Sequence, residues 1–357
     1  MARILHAADL HLSVSEKEYG LTVLDEIVAT AVSARTDALV FAGDLFDSFA
    51  DCESLRADFR AHVQPLGKRC LLLFLPGNHE DLGRGSRPLS GLDFGAAQIL
   101  EEKPFRVHRL ADVEILAIPH QRGYAEYREW KVPPKTTKIR IAFAHALVAG
   151  AGFTLDDVEE EASVMDPDLF ARCGVDYAAL GHIHAERTLS IGALTLSYPG
   201  SSRVWRRGEA GPRVVHLIEA DADVRSSPIV LLKAGMYRRY DLPLGLAGEA
   251  PDLSDIEGDW HSEDWVELCL TGLVEDERSI AELEGIFRTR YGRRVRKFDV
   301  ERNDIAVLSG ITSEPIARRF LEIWEARKPF PAESEEAWRK ARELGLLRIK
   351  ETIEARR

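Results

Sequence analysis

Five short segments in the first half of the chain carry side chains that can bind metal ions: Asp9-Leu10-His11, Gly43-Asp44, Gly77-Asn78-His79-Glu80, Ala144-His145 and Gly181-His182-Ile183-His184. Carboxylate, amide oxygen and imidazole suit Mn, Fe or Zn, and a set without cysteine disfavours a structural zinc site. On extended chain, Asp-x-His and His-x-His turn both side chains to one face, because side chains alternate with period two. Asp9, His11, Asp44, Asn78, His145, His182 and His184 make seven ligands. With one aspartate bridging, seven are enough for two metals with positions open for water and phosphate. Two metals roughly 3.5–4 Å apart can clamp the attacking and leaving oxygens of a phosphoryl displacement. His79 is left over. It follows Asn78 directly and points across the site, which makes it the candidate general acid for the leaving oxygen, since imidazole titrates near neutral pH.

Each fragment alone is weak, because an isolated Asp-x-His or Gly-Asn-His is commonly a turn. Their joint weight comes from the elements that must position them. Every segment follows an apolar run of strand length, and in α/β sheets sites form at the carboxyl ends of strands. Strands are predicted over residues 3–8, 38–42, 71–75, 113–118, 139–144, 177–180, 195–198 and 214–218. Amphipathic helices are predicted over 19–33 and 52–63. Strand–helix–strand order indicates an α/β layered domain over residues 1–235. Residues 244–264, rich in Gly, Pro, Asp and Glu, read as a loop. Residues 265–270 then alternate like a half-buried strand, 280–291 read as helix and 295–300 as strand, which makes 236–310 a small α+β unit. The rest, 311–357, reads as helical, broken at Lys328-Pro329-Phe330-Pro331.

The 357 residues fit one large domain and a smaller one. A net charge of -12 argues weakly against a simple nucleic-acid coat protein. It leaves a nuclease open, because metal ions and a local basic surface can do the binding. The N-terminal residues lack the extended apolar core of a secretory signal, and no apolar run reaches the ~18–20 residues that span a bilayer, so no membrane association is expected. Cys52, Cys70, Cys173 and Cys269 are scattered and read as free thiols. The expected location is the cytoplasm.

Taken in order, DxH…GD…GNH[DE]…H…GHxH resembles the calcineurin-like metallophosphoesterase superfamily over roughly residues 1–220. That resemblance implies a four-layer α-β-β-α sandwich. It implies one metal on Asp9, His11, Asp44 and His184, a second on Asp44, Asn78, His145 and His182, and His79 as the acid. ILHAADLHL, FAGDLFDS, LPGNHE, ALGHIH and SYPGSS are together similar to the SbcD-type DNA-repair nucleases, partners of SbcC or Rad-fifty type ATPases. This finer resemblance implies a Mn-dependent DNA exo/endonuclease using a metal-activated water, with Fe, Zn or Mg as alternative metals. It also implies a homodimer, a capping role for the α+β unit and partner-binding helices at 311–357. Two departures are Asp47, where some members carry His, and Glu80, where Asp is common.

Arg203, Arg206 and Arg207 flank Trp205 just after SYPGSS and read as a candidate DNA grip, with a solvated loop as the equal alternative. The last helix places Trp338, Ala341, Leu344 or Gly345, and Ile349 near one face, for which the family resemblance implies docking on the ATPase, with packing back on its own domain as the alternative. The rival functions are a small-molecule phosphodiesterase or phosphomonoesterase on the same fold, and a non-catalytic metal-binding adaptor. The complete ligand set disfavours the adaptor, and the long C-terminal half disfavours the small phosphatase.

Overall fold

Runs of Val, Ile, Leu, Ala and Phe form the central strands of two six-stranded sheets in the first of two units, Met1–Met236. In the computed structural model, all residues are described except 82–84, 86, 122–123, 153–163, 245–250, 275, 328–334 and 356–357. The first unit contains strands β1 (Ala2–Ala7), β2 (Ala38–Ala42), β3 (Leu71–Leu75), β4 (Gln98–Ile99), β5 (Arg106–Leu110), β6 (Val113–Ile118), β7 (Ile139–His145), β8 (Leu147–Val148) and β9 (Val164–Met165). Next come β10 (Tyr177–Gly181), β11 (Arg187–Ile191), β12 (Leu194–Tyr198), β13 (Val214–Ala220) and β14 (Val224–Val230). Its helices are α1 (Lys17–Ser33), α2 (Phe49–His62), the single turn α3 (Asn78–Asp81) and α4 (Asp168–Arg172).

One sheet has the order β14-β13-β1-β2-β3-β4 and the other β11-β12-β10-β7-β6-β5. β1, β2 and β3 run parallel, as do β6, β7, β10 and β12, so their carboxyl ends gather at one edge of each sheet. Alternation along the strands sorts side chains into layers. Ile4, Val40 and Leu73 face Ile115, Ile141, Phe143 and Ala179 between the sheets. Leu5, Leu39 and Phe41 point the other way, onto Leu24, Ile27 and Val28 of α1 and Phe59 of α2. The outer face of the second sheet is covered by Leu169 and Phe170 of α4, with Tyr124 and Tyr127 beside them. Helix, sheet, sheet and helix thus form the four-layer α/β sandwich, with a thin fourth layer.

Arg140 on β7 is buried. Its Nε donates to Glu114 on β6 (2.8 Å), and its two terminal nitrogens donate to the carbonyls of Cys173 (2.5 Å) and Pro133 (2.8 Å). Both ions lie out of water, at 2% and 4% exposure. Breaking such a pair on one side leaves an uncompensated buried charge. Arg140→Ala is therefore expected to lower unfolding free energy by about 3–5 kcal/mol, read from the urea midpoint.

The second unit, Tyr237–Arg357, contains β15 (Tyr237–Leu244), α5 (Ser254–Glu257), β16 (Trp265–Val274), α6 (Glu277–Tyr291), β17 (Lys297–Val307), α7 (Leu308–Thr312), α8 (Pro315–Glu325) and α9 (Glu335–Glu354). Its three strands form a parallel sheet in the order β15-β16-β17. Asp276 caps α6 by accepting from the N–H groups of Arg278 and Ser279. Ile280, Leu283, Phe287 and Tyr291 of α6 form one stripe and pack on Val266, Leu268 and Leu270. The stretch expected as loop, 244–264, holds α5, and the break expected at 328–331 lies outside the described residues.

The α9 face read as a docking surface is already in use. Trp338 stacks on Trp324 of α8 at 3.9 Å, and Gly345 lies against the ring of Phe320, where a Cβ would fall 2.5 Å from Cζ. That face packs inside the unit because its apolar residues find a partner on α8. Leu344 stays exposed. Among the described residues, no helix is long and apolar enough to cross a membrane.

Candidate metal centre

The loops that leave β1 and β2 zip together past the strand ends. Asp9 N–H donates to Gly43 O (3.1 Å), His11 N–H to Asp44 O (3.0 Å) and Leu12 N–H to Leu45 O (2.9 Å). This pairing holds Asp9, His11 and Asp44 at positive φ (52°, 48° and 47°), and His182 joins them at 97°. Asp and His are among the few non-glycine types that tolerate the left-handed region, yet each such residue still costs on the order of 1–3 kcal/mol. Backbone strain gathered at four ligand-type residues marks the centre independently of their chemistry. The flanking glycines make room: a Cβ at Gly77 would lie 2.2 Å from Asp44 Oδ1, and one at Gly43 would lie 2.0 Å from His145 Nδ1.

All seven candidate ligands and His79 come together. Donor atoms of Asp9, His11 and His184 form one group, those of Asp44, His145 and His182 another, and those of His11, Asp44 and His79 a third, each within 4.8 Å. His11 Nε2 and His184 Nε2 face each other at 3.3 Å. Asn78 Oδ1 lies 2.9 Å from His145 Nε2 and 3.2 Å from His182 Nδ1. Asp44 stands between the groups, with Oδ2 3.2 Å from His145 Nε2 and 4.0 Å from His79 Nε2.

The electrostatics fit divalent cations. Burial pushes the Asp9 carboxyl up to about 7 against the pull of His145 and His184, and the charge of Asp44 adds to the rise. Burial would raise Asp44 as well, but His145, His79 and His11 hold it well below the usual carboxylate range. Burial opposes a charge on His145, yet Asp44 and Asp9 raise its imidazole to about 9. A proton on His145 thus does between Asp44 and Asn78 what a cation held by the same donors would do. Burial keeps His11 well below its ordinary value, the neutral form that a metal ligand needs.

The surrounding residues explain motifs that ligand chemistry leaves open. The Glu80 carboxylate accepts from the N–H groups of Gly77 (2.8 Å), Phe46 (2.8 Å) and Asp44 (3.2 Å), so it ties the second and third loops together. In the SYPGSS segment, Ser201 N–H donates to His184 O (3.0 Å) and Ser202 Oγ donates to Ala8 O (2.8 Å), joining the last histidine loop to the first. His79 Nδ1–H donates to the main-chain carbonyl of Asp47 (2.6 Å), and the Asp47 carboxylate lies 3.3 Å from His11 Nδ1. Glu209, which sequence reasoning missed, faces His184 Nδ1 at 2.7 Å. Burial would raise this carboxyl, but His184, the Trp205 N–H and Arg213 hold it below the usual range. No pattern of spacing announces Glu209; only the turn of chain after Ser202 brings it to the site.

The candidate DNA grip divides. Arg203 is 1% exposed and donates to Leu10 O (2.8 Å), His11 O (2.6 Å) and Glu16 (2.6 Å). Its guanidinium is committed to the first loop and is not offered to a substrate, a correction to the sequence reading. Trp205 stacks flat on His11 (3.8 Å between ring centroids, 6° between planes) and meets His79 edge-on. Arg206 lies over the Trp205 ring, and Arg207 is exposed.

Fold and donor set together define a metal-dependent phosphoesterase. Residues 2–186, more than half of the chain, match the calcineurin-like phosphoesterase family, and the chain belongs to it. Among its relatives, the SbcD subunit of the SbcCD nuclease of Bacillus subtilis is 25% identical over 373 aligned positions, covering 90% of this chain and 92% of the relative. The DNA double-strand break repair protein Mre11 of Halobacterium salinarum is 24% identical, covering 67% of this chain and 62% of the relative. An uncharacterized metallophosphoesterase of Bacillus subtilis, YhaO, is 26% identical, covering 61% and 58%. The chain therefore spans about three fifths of the length of the last two.

Proposed function

We propose that this phosphoesterase is a Mn-dependent nuclease that hydrolyses DNA phosphodiesters, both exo- and endonucleolytically, in DNA repair with an SbcC/Rad-fifty type ATPase. The observation that carries the reading is the reach of the likeness. The family match ends at residue 186, whereas the likeness to the nuclease subunit runs through both units. Four buried, unpaired cysteines fit a reducing compartment such as the cytoplasm. Homodimer formation, the capping role of the second unit and partner binding through 311–357 belong to the same reading.

In this reading Asp9, His11, Asp44 and His184 hold one metal, and Asp44, Asn78, His145 and His182 hold the other. Bound there, the two cations would supply a water of lowered pKa and positive charge for the phosphoryl oxygens. The chain's own part is to aim its donors and to move one proton. His79 is fixed by its Nδ1–H bond to Asp47 O, so its Nε2 is turned toward Asp44 and, when the ring is the imidazolium, can hand its second proton to the leaving oxygen. Trp205 walls the same side, stacked on His11 with Arg206 over its ring.

The test is hydrolysis of labelled double-stranded DNA with Mn, run beside bis-p-nitrophenyl phosphate. Cleavage of both supports the nuclease. Cleavage of the small diester alone rejects DNA as substrate and favours the small-molecule phosphodiesterase, and cleavage of neither favours the adaptor. Arg207→Ala is expected to weaken DNA binding several-fold and to flatten its log–log salt dependence by about one. Its kcat on bis-p-nitrophenyl phosphate should not move. An unchanged salt slope would remove Arg207 from the DNA contact.

A further inference from the structure

We infer that Glu209 is a positioning residue for one of the two metal positions, holding His184 with its proton on Nδ1 so that Nε2 is presented to the metal shared with Asp9 and His11. The inference rests on the two-metal reading above and goes beyond it to a residue outside the ligand set.

His184 has two ring nitrogens and one proton when neutral, so its neighbours choose the ligating atom. Nε2 faces His11 Nε2 at 3.3 Å and lies 3.9 Å from Asp9 Oδ1, inside the cluster. Nδ1 faces away, 2.7 Å from Glu209 Oε1. Arg206 also approaches Nδ1 at 3.3 Å. A guanidinium can only donate and would favour the opposite tautomer. The closer, anionic acceptor wins, because a charge-assisted bond at 2.7 Å is roughly twice as strong as a neutral one.

Glu209 is itself fixed. Its Oε2 accepts from Ser201 Oγ (3.1 Å) and from the Trp205 N–H (2.8 Å), and Arg213 stands 3.9 Å away. The carboxylate therefore cannot swing from the ring. The other metal position is supported differently: His145 Nδ1–H donates to the main-chain carbonyl of Ala42 (2.9 Å). A carboxylate behind a ligating imidazole raises its basicity, and losing one typically costs about 10–100-fold in metal affinity. Loss of Glu209 should thus fall on one position and spare the other.

The experiment is a Mn titration of the metal-free full chain, with free Mn read by electron paramagnetic resonance. Wild type, Glu209→Gln, His184→Ala and His182→Ala are compared. His184→Ala and His182→Ala identify which binding step belongs to which position. Glu209→Gln is expected to weaken the step that His184→Ala abolishes by about 10–100-fold, and to leave the other step unchanged. Equal weakening of both steps, or of neither, overturns the assignment. A second measurement needs no variant of Glu209: the nitrogen-15 spectrum of metal-free wild type, with His184 assigned by its loss in His184→Ala, should show Nδ1 protonated and Nε2 bare. The reverse tautomer overturns the inference. Wild type that binds a single Mn overturns the two-metal reading instead.

Discussion

Asp44→Ala is expected to empty both metal positions at once and to take hydrolysis of every substrate down to background. The residue sits where the donor groups meet. Its Oδ2 faces His145, His79 reaches toward it from the other side, and the His11 donor lies in the same cluster. Glu80 cannot take over its place, because that carboxylate is committed to three backbone N–H groups. The metal-free fold should lose stability as well: removing Asp44 relieves its repulsion with Glu80, which burial and then that charge push up to about 7, but it also strips His145 of its buried carboxylate partner at 3.2 Å. Metal content after dialysis, read beside the melting temperature of the stripped protein, checks this. One full metal retained per chain would show that Asp44 serves a single position.

His79→Ala should give the opposite pattern, with metal content kept and turnover of DNA lowered by roughly 10²–10⁴-fold, the usual worth of a general acid. The size of the loss should depend on the leaving group. A deoxyribose oxygen leaves as a strongly basic alkoxide unless it is protonated, whereas p-nitrophenolate leaves readily without help. The variant should therefore lose far more activity on DNA than on bis-p-nitrophenyl phosphate. An equal loss on both would mean that His79 shapes the site and does not donate a proton. Metal content that falls with activity would make it a ligand.

The central strands were legible from sequence because they are buried on both faces, and continuous apolar runs such as Leu71–Leu75 leave few alternatives. The strands at the sheet edges were not. β5 reads Arg-Val-His-Arg-Leu and β14 Val-Arg-Ser-Ser-Pro-Ile-Val, with exposed polar residues that shield an open edge but erase the apolar signal. β15 was missed for the same reason, since Tyr-Arg-Arg-Tyr-Asp-Leu-Pro-Leu borders the second unit's sheet.

At the metal centre, spacing after strands was enough to nominate side chains that the fold brings together. Sequence could not separate Arg203 from Arg207, two arginines in one basic run. One is turned inward onto Leu10 and His11 and the other outward, and only the path of the loop decides which. Glu209 was hidden for a related reason. Its partner lies 25 residues earlier, and no local pattern links the two.

Asp9, Asp44 and Asn78 hang from one sheet, and His145, His182 and His184 from the other. The chemistry is thus performed across a seam, and whatever lets the sheets slide apart also disperses the donors. Occupancy and cohesion become a single linked equilibrium, in which each bound ion acts as a rivet and stabilises the folded state by mass action. A chain short of its metal ions would then be more than an idle catalyst: it would be a looser body, readier to breathe along that seam and to be recognised by a protease.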